Sequence, residues 1–381
     1  MKVLKNIFGI SLIIVSSLAS FSCSDNQKVK ELNFGFIGPL STRATVLGIG
    51  PAKAIELVVD EYNANKKENE PKINFFIEDD KWEKDLALPL YTKLRKEHNI
   101  DIVFISNSDG TVAIQKNIIE DKVICVNQLN NDELLSKLNK NTFKIAKRTE
   151  ETNGIIGHRI TDLGLKKTVI FHFPNDFMTR GTNAVKKILD KENIECKIIK
   201  VPKDQVDFSI ELEKCKDEGY DSYVFFGYKN FGFAMKQVRD LGITNKVFGS
   251  TVLLEQAYYD NSEGAIVDSE FPFFTTLDGN KILATDFFDK YIEKFGEKPG
   301  AEWPALQARD ASKLVIDIIK EVNTNKPAEI HISDWLRSEL LNTTYYKGAC
   351  GNLSIGEDGA SRGVYFSLYK YVSEMKVEKI K

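Results

Sequence analysis

The segment SNSDGT at 106–111 concentrates the side chains best suited to hold an anion. It follows the strand-like run DIVFIS at 101–106 and precedes a helix-like run at 111–120. Ser108, Gly110 and Thr111 would present hydroxyls and backbone N–H groups at a helix N-terminus, where the helix dipole is positive and a carboxylate is stabilised. Ser, Asp and Thr are also ordinary helix caps, so the residue types alone leave both readings open. Asn130 and Asn131 follow an apolar run at 123–127, again at the carboxyl end of a strand. Asn there either hydrogen-bonds a ligand or forms a turn.

Other chemistry is poorly provided for. Asp79 and Asp80 are adjacent in a strand-like run, so their side chains point to opposite faces and cannot easily act as a facing acid and base. There is no P-loop, no complete GxGxxG and no GxSxG. The histidines (His98, His158, His172, His331) and Cys125, Cys196, Cys215 and Cys350 show no metal-ligand spacing. No metal, no cofactor and no enzymatic activity are expected. A net charge of −3 and a pI near 6.0 exclude the basic field that draws a protein to nucleic acid.

The elements that must position these residues alternate along the chain. Strand-like runs at 32–40, 72–79, 101–106 and 123–127 are separated by helix-like ones at 50–65, 84–97 and 111–120. The pattern restarts near 150 and runs through strands at 167–173, 195–201, 222–227 and 246–250, with helices at 150–163, 180–192, 208–218 and 230–241. Near-continuous apolar strands between amphipathic helices imply parallel sheets covered on both faces. A helical third part (280–295, 304–322, 333–341) leads to a strand at 364–372 that is too short a tail for a domain and must complete an earlier sheet. With 381 residues, two α/β domains are expected.

The N-terminus reads as an export signal. Lys2 and Lys5 precede an apolar run at 7–19, too short for a permanent membrane span. Cys23 follows directly, and 24–30 reads as a tether. Cys23 resembles the lipidated cysteine of bacterial lipoproteins, although Ser20 and Phe21 depart from that pattern and plain secretion is the alternative. Lipid anchoring at the outer face of a bacterial membrane, or residence in the periplasm, is the expected location.

Several stretches in order and spacing resemble the leucine/isoleucine/valine-binding protein family. They are IGPLS (37–41) with GPAKAIELVVDEYNA (50–64), IEDDKWEKDLALPLYTKL (77–94), DFSIELEKCKDEGYDSYVFFGY (207–228) with MKQVRDLGI (235–243), FGEKPGAEWPALQARDASKLVIDII (295–319) and GNLSIGEDGASRGVYFSLYKY (351–371). The resemblance implies a type I periplasmic-binding fold: two Rossmann-like lobes with parallel sheets, joined by a three-crossing hinge near 148, 270 and 350. Lobe 1 would comprise 31–148 plus 272–348, and lobe 2 would comprise 149–271 plus 349–381. It implies a monomeric substrate-binding receptor that serves the permease and ATPase subunits of an ABC importer, with a ligand-sensing module of a signalling system as the alternative.

The resemblance also carries residue roles. Ser108 and Thr111 match positions that hold a ligand carboxylate. Tyr228 matches a ligand-facing tyrosine, and Phe177, in the loop after 167–173, lies near an aromatic wall, with Arg180 beside it expected at the surface. Thr251 stands where amino-acid receptors carry an acid for the ligand ammonium, and Leu47 where an aromatic is common. Glu150 either supplies the missing charge or caps the helix near 150. These departures leave the identity of a small polar solute, amino-acid-like or a related carboxylate or amide, open.

Overall fold

Short runs in which every side chain is apolar can be strands only where both faces are covered, and the first third of the chain builds such a sheet. The structure is a computed structural model that describes residues 28–42, 44–131, 135, 138–202, 204–274 and 280–380, without the Asp176 side chain. The export-like segment and Cys23 lie outside the described residues. Along the chain come β1 (Glu31–Gly38), α1 (Ile49–Asn65), β2 (Lys72–Asp79), α2 (Lys84–His98), β3 (Ile102–Ile105), α3 (Ser108–Ala113), α4 (Gln115–Glu120), β4 (Ile124–Asn127) and β5 (Thr142–Lys144). The strands pair in parallel in the order β2-β1-β3-β4-β5.

Alternation decides which face each residue covers. Phe34, Phe36, Ile102, Phe104, Ile124 and Val126 pack on one face, and Ile37, Val103, Ile105 and Cys125 on the other. The first face is covered by α1 and by three later helices, α10 (Lys281–Phe295), α11 (Glu302–Ile319) and α13 (Ile332–Leu341), and the second face by α2 and α4. Gly296 ends α10 at φ +76°, a left-handed cap that glycine adopts without strain.

The second sheet uses the same grammar. After α5 (Thr149–Asp162) come β6 (Lys167–His172), α6 (Asp176–Lys191), β7 (Glu195–Lys200), α7 (Ser209–Asp217), β8 (Ser222–Phe226), α8 (Phe231–Asp240), β9 (Lys246–Gly249), α9 (Gln256–Ser262) and β10 (Glu270–Phe273). The short α12 (Val322–Asn325) follows α11. Beyond α13 lie β11 (Tyr346–Lys347), β12 (Gly351–Ile355), β13 (Ser361–Val364), β14 (Ser367–Ser373) and β15 (Lys376–Lys379). The second sheet runs β15-β14-β10-β9-β8-β6-β7. It is parallel from β7 to β10, and β14 and β15 add antiparallel strands at one edge.

The chain passes between the lobes three times. Ile145 belongs to the first core and Ile156 of α5 to the second. Phe273 packs against the second core and Phe274 lies in the first. The last passage corrects the sequence expectation: Ala349, Cys350, Leu353 and Ile355 lie in the first core and Tyr369 in the second, so the chain crosses between Val364 and Ser367 rather than near 350. Residues 349–364 therefore belong with lobe 1, and the expected strand at 364–372 is broken where it leaves that lobe. Two further differences matter for the site. The helix expected over 111–120 breaks at Ile114 into α3 and α4. The helix expected from 180 starts at Asp176, because Asn175 accepts the N–H of Met178 at 2.8 Å, so Phe177 and Arg180 sit in its first turns rather than in a loop.

Candidate functional site

The carboxyl end of the first sheet is held by a network of amides and hydroxyls. Asn107 caps α3: its Oδ1 accepts the N–H of Gly110 at 3.1 Å. The Thr111 hydroxyl donates to Asn107 O (2.8 Å) and accepts from Asn127 Nδ2 (2.9 Å), and Thr111 is fully buried. Asn127, at the end of β4, also accepts the N–H groups of Leu129 (3.0 Å) and Asn130 (2.7 Å). Asn130 Nδ2 then donates to Ser108 Oγ at 3.0 Å. The Gly110 N–H and the Thr111 hydroxyl are thus both engaged within the lobe. A Cβ on Gly110 would lie 3.0 Å from Ala87 Cβ, so its lack of a side chain serves packing. Ser108 is only half-buried and, having accepted from Asn130, keeps its own proton to donate.

Asn131 is buried and structural in its contacts. Its N–H donates to Lys147 O (3.2 Å) and its Nδ2 to Ser361 O (3.1 Å). Ser361 Oγ in turn bonds both Ala146 N and Ala146 O at 3.0 Å. The first and third passages are thus stitched side by side, and the loop after β4 is stitched to both.

On the second lobe, Tyr228 follows β8 with 42% of its surface exposed. Its ring stacks on Phe173 at 5.8 Å between centroids, and Asn175 Nδ2 donates to its hydroxyl at 3.3 Å. Phe177 is half-buried against the second core. Thr251 opens a 3-10 turn directly after β9. Glu150 sits in the first turn of α5, whose N-cap is Arg148, between Arg148 (Nε 3.7 Å) and Arg180 (Nε 4.0 Å). Arg180 is therefore not a surface side chain, being 19% exposed, and the Glu150 carboxylate lies between two guanidiniums.

The passages meet at a narrow cavity of about 10 Å³, room for about one water molecule while the lobes are in this position. Lys147, Phe274, Val364, Tyr365 and Phe366 line it from the passages, Trp303, Gln307 and Cys350 from the first lobe, and Thr152 and Thr251 from the second. Of these, only Thr251 was singled out from sequence. Gln307 joins the parts: its Oε1 accepts Lys147 N–H at 2.7 Å and its Nε2 donates to Leu129 O at 3.3 Å. Burial pushes the Cys350 thiol well above its ordinary pKa, so it stays neutral. The buried Asp310 carboxylate fixes the backbone beside it by accepting the N–H groups of Ala349 (2.8 Å) and Cys350 (2.7 Å).

Burial acts to raise the Asp79 pKa, but hydrogen bonds from the Ser41 hydroxyl and the N–H groups of Leu40 and Lys81 outweigh it and hold the carboxyl low. Desolvation pushes Asp80 up. Among the described residues, no three His, Cys, Asp or Glu side chains are placed to hold a metal ion. The described cysteines are unpaired, and no described helix is long and apolar enough to cross a membrane.

Two α/β lobes joined by three passages, with strand ends and a cavity at the junction, define a bilobed hinge fold of the kind that encloses small molecules. The chain belongs to the periplasmic binding protein family, whose model matches residues 31–366. It is similar in fold to a leucine-binding protein, LivK, from Thermotoga maritima (TM-score 0.74, 17% identity, 92% of this chain and 98% of that one). It is similar also to LivJ from Streptococcus pneumoniae, solved with isoleucine (TM-score 0.70, 22% identity, 92% and 98%). A third similar structure is an ABC-transporter solute-binding protein from R. palustris in complex with benzoate (TM-score 0.71, 17% identity, 92% and 95%). No curated protein sequence matches.

Proposed function

We propose that this protein is the extracytoplasmic receptor of an ABC importer and that it captures one small organic solute between its lobes by hinge closure. One observation carries the reading: the cavity where the three passages meet is lined by both lobes, so a solute there couples its affinity to their relative position. The partners would be a permease and its ATPase. Family membership and the solved relatives that hold isoleucine or benzoate support this reading.

Of the residues singled out from sequence, Ser108, Asn130, Tyr228 and Thr251 are the best placed to touch the solute. Glu150 would act through its neighbouring guanidiniums. The lipoprotein-like order of Lys2, Lys5, the apolar run and Cys23 supports anchoring through Cys23, with the receptor acting as a monomer. Cys23→Ala should then release the protein from membranes into the soluble fraction.

A thermal-shift screen against small carboxylates, amides and amino acids tests the receptor reading. At about 100 times its Kd, a true solute stabilises the folded state by about 2.7 kcal/mol. A screen in which no compound raises the melting temperature contradicts the reading.

A further inference from the structure

We propose that Arg148 is the single residue about which the first passage turns, so that the angle between the lobes is set beside the cavity; this rests on the receptor reading above. The first lobe grips the passage as far as Lys147. Lys144 donates its N–H to Gly359 O at 2.8 Å, and Ile145 donates to Asn127 O at 3.0 Å. The Ser361 hydroxyl bonds both Ala146 N and Ala146 O at 3.0 Å. Lys147 donates its N–H to Gln307 Oε1 at 2.7 Å, and its carbonyl accepts the N–H of Asn131 at 3.2 Å. A peptide unit is planar, so the unit from Lys147 to Arg148 is carried with the first lobe.

The next peptide unit is carried with the second lobe. The Arg148 carbonyl accepts the Thr152 N–H at 2.9 Å and the Thr152 hydroxyl at 2.8 Å, which ties it to the start of α5. The two planes meet at the Arg148 Cα. The φ and ψ of Arg148, −101° and 127°, are therefore the torsions that join the lobes in this passage, and a hinge needs no more than a few such torsions. The third passage has the same form. Tyr365 donates its N–H to Cys350 O at 2.9 Å in the first lobe, and Ser367 pairs with Phe273 in the second sheet, so Tyr365 and Phe366 bridge the gap. Both of these residues line the cavity. So do Gln307, which holds Lys147 from the first lobe, and Thr152, which holds Arg148 from the second. A solute that presses on Gln307 and Thr152 thus bears on the two sides of Arg148 and favours one angle of the lobes over others.

The test compares Ala with Gly at two adjacent positions of the mature protein. Arg148→Ala and Arg148→Gly both remove the guanidinium and differ in backbone freedom. Lys147→Ala and Lys147→Gly make the same comparison one residue earlier, where the N–H and the carbonyl are both held. Pulsed electron spin resonance between labels at Lys140 of the first lobe and Lys187 of the second, both exposed, reads the spread of distances between the lobes with no solute added. The expected result is a broader spread for R148G than for R148A, and coinciding spreads for K147G and K147A. In calorimetry, the carboxylate, amide or amino acid that raises the melting temperature most should bind R148G about 2- to 5-fold more weakly than R148A, because glycine gives up more freedom when the lobes close. Equal spreads or equal affinities for R148G and R148A, or a matching broadening at Lys147, would overturn the inference while the receptor reading stands. A screen without any binder would remove the receptor reading, and the solute-free spreads would still decide whether Arg148 is the pivot.

Discussion

Lys147 is tied twice to α11: its ammonium covers the Trp303 ring at 4.3 Å, and its backbone N–H donates to Gln307 Oε1 at 2.7 Å. Lys147 sits on the first passage and α11 in the first lobe, while Thr152, one helical turn beyond Arg148, belongs to the second lobe. Movement about this passage therefore shifts α5 against α11 across the cavity they share.

Removing the ring should be felt in binding. Trp303→Ala deletes both an apolar wall and the surface that positions the Lys147 charge. Solute affinity should fall about 10-fold or more, because a desolvated cation–π contact alone is worth up to about 2 kcal/mol. Calorimetry with the solute that raises the melting temperature most measures this, and an unchanged Kd would show that the cavity is not where solute lies.

Tyr228 offers a separation of binding from stability. It is 42% exposed, its ring stacks on Phe173 and its hydroxyl accepts from Asn175, both in its own lobe. Tyr228→Ala should therefore change unfolding free energy by no more than about 0.5–1 kcal/mol, while weakening solute binding at least several-fold. A large loss of stability with intact affinity would make Tyr228 a packing residue.

The turn at 348–350 should be intolerant of change. A Cβ on Gly348 would sit 2.3 Å from Asp310 Oδ2, so Gly348→Ala must displace the carboxylate that receives two N–H groups. Asp310→Asn turns one acceptor oxygen into a donor facing an N–H. Each substitution should cost about 2–4 kcal/mol, read as a lower midpoint in urea unfolding. A midpoint within error of wild type would contradict this role.

Glu270, which does not line the cavity, supplies a pH-dependent contribution. It is 1% exposed and accepts from Arg159 (2.7 and 3.2 Å) and Lys246 (2.9 Å). Burial alone would raise its pKa, but the two cations outweigh burial and bring it below the ordinary 4.5. A depressed folded pKa means the stabilisation is complete above about pH 4.5 and is lost as pH falls through the lower folded value. Glu270→Gln should cost about 3–5 kcal/mol near pH 7 and progressively less in acid. Urea unfolding of both proteins from pH 7 to pH 3 measures the difference, and a constant gap would remove Glu270 as its source.

How much was legible in sequence follows from how local each cause is. Runs such as 102–105 and 223–226 announce buried strands because every side chain is hydrophobic, and with them the alternation of both lobes. β5 and β10 are only three and four residues long, and their strand character comes from neighbours in the sheet. The glycine-rich stretch at 348–359 looked like a crossing, yet Gly348 is there because the Asp310 carboxylate lies against it. SNSDGT was correctly placed at a strand end, but the engagement of Thr111 depends on Asn127, 16 residues on in another strand. Lys147, Trp303 and Gln307 carry no local motif at all; only folding brings them to one wall.

The central claim is that one solute is gripped between the two lobes, and a crystal structure of the protein with the solute that raises its melting temperature most tests it most directly. The account predicts electron density for the solute within reach of Trp303 or Gln307 on one side and Thr152, Tyr228 or Thr251 on the other. Density on the outer surface of either lobe, with the junction empty, would contradict it.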